Sequence, residues 1–335
     1  MIVNTPSRNI THATSFLFKK SIQKTIMNFN LFTQVAFVCI FFACNTNVSS
    51  QKNPVIVELP PKTAADTTKT EKPGAAYNYD LKKPDHAWML PDQLIEVSGN
   101  TWVDKDHLIL IEDMHPDLYL IKIDDKKATL EKTIPFAKED KEKIDIEDVV
   151  YLDNTVYALW SHGVLFKIAD WQTKPQVEKV KTFLSKTNNT EGLCYDPVTK
   201  NLLIACKDQS NVANEKKTTK AVYQFDLAQN KLNEQPFLLI HAKDFEKATE
   251  QKLDFFPSAI AVHPVTHDIY LLSTRDNKCM AVYSHDGKFK AIQFIDKELM
   301  PQPEGICFDA DANLYISTEG RHGEAAAIYE FQRTK

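Results

Sequence analysis

The chain has 335 residues, 43% of them apolar, which is enough for a sizeable core and excludes a disordered tail. Lys and Arg number 40 against 45 Asp and Glu, a formal net charge of -5, so the bulk cationic field that nonspecific nucleic-acid binding needs is missing and no nucleic-acid partner is expected. Glycine is scarce, at 8 residues, and neither a Walker loop nor a dinucleotide fingerprint occurs, so no nucleotide cofactor is expected either.

Residues 1–44 read as an export segment. Lys19, Lys20 and Lys24 precede an apolar run from Leu31 to Ala43 that has the length of a signal h-region and is short for a membrane span. Cys44 follows Ala43 directly and is succeeded by small polar residues, an arrangement that resembles a bacterial lipobox with Cys44 as the lipidated residue, although Phe41 and Phe42 depart from its usual pattern. Met27 is an alternative start. The expected location is the bacterial envelope, as an inner- or outer-membrane lipoprotein facing the periplasm or as a surface protein. Residues 45–77, rich in Pro, Thr and Lys without apolar periodicity, read as a flexible tether.

From residue 78 to 335 the chain is a series of short apolar strands separated by Asp, Asn, Pro and Lys turns. One unit recurs five times, its first strands beginning Ser98-Gly99-Asn100, Glu147-Asp148-Val149, Glu191-Gly192-Leu193, Ser258-Ala259-Ile260 and Glu304-Gly305-Ile306. Repeats of this length, each a four-stranded antiparallel meander unable to bury its own faces, predict an all-β fold, a β-propeller of about five blades. The interval from Lys207 to Lys252 is long enough to hide a degenerate sixth repeat and contains a predicted helix at Ala242–Lys252. The last unit lacks a fourth strand, which His86-Ala87-Trp88-Met89-Leu90 can supply, closing the ring with an N-terminal strand. Cys194, Cys206, Cys279 and Cys307 are expected to be buried free thiols, because pairing through the 197–201 turn sets Cys206 opposite the Glu191 region and away from Cys194.

Leu90-Pro91-Asp92-Gln93-Leu94-Ile95-Glu96-Val97-Ser98-Gly99, Ile146-Glu147-Asp148-Val149, Asn189-Thr190-Glu191-Gly192-Leu193-Cys194-Tyr195-Asp196-Pro197, Phe256-Pro257-Ser258-Ala259-Ile260-Ala261-Val262-His263-Pro264 and Pro301-Gln302-Pro303-Glu304-Gly305-Ile306 together resemble the SdiA-regulated (YjiK-like) family of exported bacterial β-propellers. The resemblance implies the fold and the envelope location and leaves the chemistry open.

In a propeller the first strand of each blade lies nearest the channel. Glu147, Glu191 and Glu304, with Ser98 and Ser258 in the equivalent places, are therefore expected to ring one channel mouth, with Glu112, Asp113, His162, Lys207, Asp208, Arg275, Glu319 and Arg321 just outside. Crowded carboxylates repel one another and call for compensation. A divalent cation such as Ca2+, ligated by Glu147, Glu191 and Glu304, is one solution; backbone bonding that staples neighbouring blades is another. Lys207 and Arg275 can capture an anionic group or pair with the glutamates, and His162 is the candidate general base. Two readings follow: a propeller binding a small molecule or an envelope protein at its mouth, or a metal-dependent hydrolase of an ester, lactone or phosphoester, an analogy of architecture with paraoxonase-type and gluconolactonase-type propellers. An interaction scaffold without a small-molecule site is the third.

Overall fold

The computed structural model describes residues 79–138, 143–321 and 323–334, so the export segment with Cys44 and the tether at 45–77 lie outside the described residues. Among the described residues, twenty strands form five four-stranded antiparallel sheets. Blade 1 contains β2 (Val97–Asp104), β3 (His107–Glu112), β4 (Asp117–Ile123) and β5 (Ala128–Pro135). Blade 2 contains β6 (Ile146–Leu152), β7 (Thr155–Trp160), β8 (Val164–Ala169) and β9 (Gln176–Lys181). Blade 3 contains β10 (Thr190–Asp196), β11 (Asn201–Cys206), β12 (Lys220–Asp226) and β13 (Lys231–Ile240). Blade 4 contains β14 (Pro257–Val262), β15 (Ile269–Ser273), β16 (Cys279–Tyr283) and β17 (Phe289–Phe294).

Blade 5 is the composite one. Its strands β18 (Pro303–Phe308), β19 (Leu314–Thr318) and β20 (Ala327–Phe331) are completed by β1 (His86–Met89), which pairs antiparallel to β20 with Trp88 opposite Ile328. The closing strand is short, and side chains fasten it. The Trp88 indole N–H donates to Asp124 O in blade 1 at 2.7 Å, and His86 Nδ1 lies 2.7 Å from Glu330 Oε2. Upstream, Leu81 is fully buried and the Tyr79 hydroxyl donates to Ala312 O at 2.6 Å. No sixth sheet exists among the described residues. The long interval holds the 207–219 loop and the helix α1 (Ala242–Thr249), which ends three residues before the predicted limit at Lys252 and buries Phe245 against Phe255 and Phe289.

The core is a set of layers between blades, because each sheet buries both faces against its neighbours. Leu118, Ile146, Val149 and Phe166 belong to one such layer between blades 1 and 2, and Cys194, Leu203, Ile260 and Leu271 to another between blades 3 and 4. Cys194, Cys206, Cys279 and Cys307 are buried and free, and burial raises Cys206 and Cys279 to about 12. Thr190 stands opposite Cys206 across β10 and β11, the pairing that separates Cys206 from Cys194.

Candidate functional site

In all five blades the register between the first and second strands slips at the same place, at Ser98, Glu147, Glu191, Ser258 and Glu304. Each is a β-bulge, which leaves one residue unpaired and re-aims its side chain. The residues immediately after the bulges are Gly99, Asp148, Gly192, Ala259 and Gly305, and of these Gly99, Asp148, Gly192 and Gly305 closely approach the next blade. Close approach explains the small ones. A Cβ on Gly99 would stand 2.6 Å from Asp148 Oδ1 and 2.8 Å from Asp148 Cα, and one on Gly192 would stand 2.9 Å from Ile260 Cγ2. The blades thus close tightly just below the bulges, and the bulged residues sit above that constriction.

There they open onto a polar cavity of about 240 Å3 lined by Ser98, Asp113, Asp145, Glu147, Asn189, Glu191, Lys207, Gln302, Glu304 and Glu319. Three positions of the repeat build it. The bulges give Ser98, Glu147, Glu191 and Glu304, and the residues that leave the second strand give Asp113, Lys207 and Glu319. The third set, Asp145, Asn189 and Gln302, stands two residues before a bulge, where its backbone carbonyls accept the N–H of Ser161 (3.0 Å), Lys207 (2.8 Å) and Glu319 (3.0 Å). Blade 4 adds nothing to the lining. Its Ser258 hydroxyl is 3.0 Å from Thr274 Oγ1 and donates to Pro303 O at 3.1 Å, so this residue staples blade 4 to blade 5. Ser98 likewise donates to Ile146 O at 2.7 Å, joining blades 1 and 2.

The glutamates are held differently. Glu191, 5% exposed, accepts from Lys207 Nζ at 2.9 Å on Oε2 and from Asn189 Nδ2 at 2.6 Å on Oε1. Glu304, 7% exposed, bonds the Gln302 amide, which also donates to Glu319. Glu147 faces the cavity among like charges. Burial pushes its carboxyl well above the usual range, reinforced by Glu191 and Asp145, while Lys207 pulls the other way. Burial raises Glu304 to about 8 and Glu319 to about 7. Lys207 is driven the opposite way from a normal buried amine, upward, because Glu191, Glu304 and Glu147 surround it and outweigh its desolvation. The mouth therefore holds protons on some of its acids at neutral pH and a charged ammonium among them.

Ser98, Asp113, Glu147, Glu191, Lys207, Glu304 and Glu319 are thus brought to one cavity. Six other candidates do not line it. Glu112, 2% exposed, turns into blade 1, where its carboxylate accepts from Met114 N and the Tyr119 hydroxyl and meets His115 Nδ1 at 2.8 Å. Asp208 and Arg275 pair at 2.8 Å beyond the rim, and Ser258 is the staple already described. The His162 ring stacks on Trp160, with centroids 4.7 Å apart, and Arg321 is exposed. Asp145, Asn189 and Gln302 line the cavity without having been candidates from the sequence. The available signal was a recurring polar residue two positions before each Glu of the repeat: Asp145-x-Glu147, Asn189-x-Glu191 and Gln302-x-Glu304.

Among the described residues no group of three or more His, Cys, Asp or Glu side chains is placed to hold a metal ion. Glu147, Glu191 and Glu304 share the cavity, and the Lys207 ammonium, 2.9 Å from Glu191 Oε2, already neutralises one of the three. Also among the described residues, no helix is long and apolar enough to cross a membrane.

The molecule is a five-bladed β-propeller with an acid-rich mouth at one end of its channel. The chain belongs to the SdiA-regulated family, whose sequence pattern matches residues 80–322. No curated protein matches it. Among solved structures, glutaminyl cyclase of Myxococcus xanthus is similar at a TM-score of 0.50 and 12% identity, covering 75% of this chain and 95% of that one. Virginiamycin B lyase of Staphylococcus aureus (TM-score 0.41, 13% identity, 74% and 73% covered) and a gluconolactonase of Xanthomonas campestris (0.42, 11%, 70% and 72%) are also similar. At such identities the likeness concerns the fold.

Proposed function

We propose that this chain is an envelope-anchored propeller that binds a small cation-bearing ligand at its acid-rich mouth, held to the membrane by a lipid on Cys44 through the 45–77 tether. The observation that carries the reading is that, among the described residues, six carboxyl groups and a single ammonium line one cavity. Crowded, buried carboxyls are relieved by protons or by cations. Lys207 relieves Glu191, which leaves Glu147 and Glu304 as the seats for a ligand's positive group. That group belongs to a free small molecule or to a basic side chain that an envelope protein inserts. Either an ammonium or a divalent ion such as Ca2+ would bring the positive charge that these carboxyls lack.

Titration calorimetry with Ca2+ and with 1,4-diaminobutane, on the wild-type chain and on Glu147→Gln and Glu304→Gln, tests this. Binding should weaken at least tenfold in each variant while the thermal transition remains cooperative; unchanged binding in both variants overturns the reading. The anchor is tested separately. A Cys44→Ser chain should leave the membrane fraction, and one that stays there by its own anchor refutes lipidation.

A second reading rests on a different observation: Glu304 at about 8 and Glu319 at about 7 carry exchangeable protons at neutral pH, as general acid–base catalysis requires. In a hydrolase acting on an ester, lactone or phosphoester these two carboxyls, which line the cavity, would take the acid–base part first sought in His162. Turnover of chromogenic esters and phosphoesters that is lost in Glu304→Gln supports it, and inactivity across those classes leaves binding alone.

A further inference from the structure

The mouth carries charges of both signs. Glu319, Asp113, Asp145 and Glu147 line it from blades 5, 1 and 2, with Lys143 Nζ 3.9 Å from Asp113 Oδ2 and Arg321 acting on Glu319, and Glu191 lines it from blade 3. Blades 3 and 4 bring further cations. Lys207 projects into the cavity, and behind it Lys220 and Arg275 lie over the same ring, Phe256, at 4.5 Å and 4.7 Å. Arg275 acts on Glu191 at the cavity wall, and Lys278 of blade 4 acts toward Arg321 and Glu304. The two cations at this ring have Asp208 as a common partner, Arg275 through its carboxylate and Lys220 through its backbone carbonyl.

Lys207 has donors to spare. Its ammonium carries three N–H bonds and makes one hydrogen bond, to Glu191 Oε2, among the described residues, while its side chain, 13% exposed, lines the cavity. A purely cationic ligand seated at Glu147 leaves those donors unused. A ligand with a positive end and a negative end engages both the carboxyls and the ammonium, which also fixes its orientation. The cavity, about 240 Å3, equals the liquid volume of about eight waters, room for a molecule of amino-acid or dipeptide size.

We propose that the mouth takes a zwitterionic ligand, an amino acid or short peptide, with its ammonium at Glu147 and Glu304 and its carboxylate at the spare N–H donors of Lys207. This deepens the reading given above and rests on it. The test is titration of the full chain with the twenty common amino acids and glycylglycine, followed by the N-acetyl and C-amide forms of the tightest binder. Either cap should weaken binding at least tenfold. Lys207→Gln should weaken binding of the free acid to a similar extent and leave the amide form unaffected, a pattern that a general loss of fold would not produce.

If only the N-acetyl cap matters, the zwitterion is overturned and the cation site stands. If none of these compounds binds, the zwitterion is again overturned. The Ca2+ and diaminobutane titrations then decide the broader reading: binding of either keeps it, and failure of both removes it.

Discussion

Asp148 and Leu193 join two blades just below the mouth: Asp148 Oδ2 accepts the Leu193 N–H at 2.7 Å, while its Oδ1 accepts the Val149 N–H at 2.8 Å. Leu193 lies two residues after the bulged Glu191, and Asp148 directly follows the bulged Glu147, so this one carboxyl fixes both glutamates relative to each other. Burial pushes Asp148 well above the usual range and the two backbone N–H groups act against that. Replacing it by Ala leaves both donors buried without an acceptor, at a cost of about 1–3 kcal/mol each. Asp148→Asn, which keeps one acceptor oxygen, should cost less than Asp148→Ala. Urea unfolding of the two variants checks the order, and equal stabilities would show that the bonds do not matter.

The ionisation of the mouth predicts how stability changes with pH. Glu304 and Glu319 titrate at about 8 and about 7 in the fold, above the ordinary value of 4.5, so between these limits the folded chain holds protons that the unfolded chain has lost. Stability then falls as pH rises, by at most about 1.4 kcal/mol per pH unit for each such proton. His263 has the opposite sign. Buried beside Tyr79, it drops to about 4 from 6.5, so its effect is complete above pH 6.5 and stability is lost as pH falls from 6.5 toward 4. Below pH 6.5 the two effects oppose each other, and from 6.5 to 8 only the carboxyls act. The melting temperature should therefore decline from pH 6.5 to 8, with a shallower slope in Glu304→Gln; identical slopes would assign the decline to other groups.

Lys207 and Glu191 form a buried pair, with side chains 13% and 7% exposed. Removing one partner of such a pair typically costs about 3–5 kcal/mol, because the other charge is left without compensation, whereas removing both costs far less. Lys207→Met should be strongly destabilised and Lys207→Met/Glu191→Gln should recover much of that loss in thermal melts. If the double variant is as unstable as the single one, Lys207 acts through packing.

Much of this was legible in the sequence, for reasons tied to particular residues. The five first strands repeat because each must bury both faces and bulge at the same point, and Ser98, Glu147, Glu191, Ser258 and Glu304 mark that point directly. The closing strand was visible because Trp88 stood in an apolar stretch without a meander of its own. The direction of side chains leaving the second strands was not. Glu112 and Asp113 are adjacent, yet only Asp113 faces the cavity, because Met114, His115 and Tyr119 draw the Glu112 carboxylate inward. Asn189 and Gln302 serve the site through their amides, groups that a search for charged chemistry passes over.

The ring's closure depends on a four-residue strand, which makes Trp88 the most informative place to test the fold. Its indole N–H reaches across to Asp124 O in blade 1, and its ring stacks with His86, at 5.4 Å, and with Tyr315, at 6.4 Å. Trp88→Ala removes a buried aromatic together with a hydrogen bond between the last blade and the first, which should cost about 3–5 kcal/mol. Because the backbone pairing of β1 with β20 survives the substitution, the loss should appear first as faster hydrogen exchange in β1 and β20 and only later in blades 2 and 3. Uniform acceleration through all five blades would mean that the propeller opens as one unit and that the closing strand is no weaker than the rest of the ring.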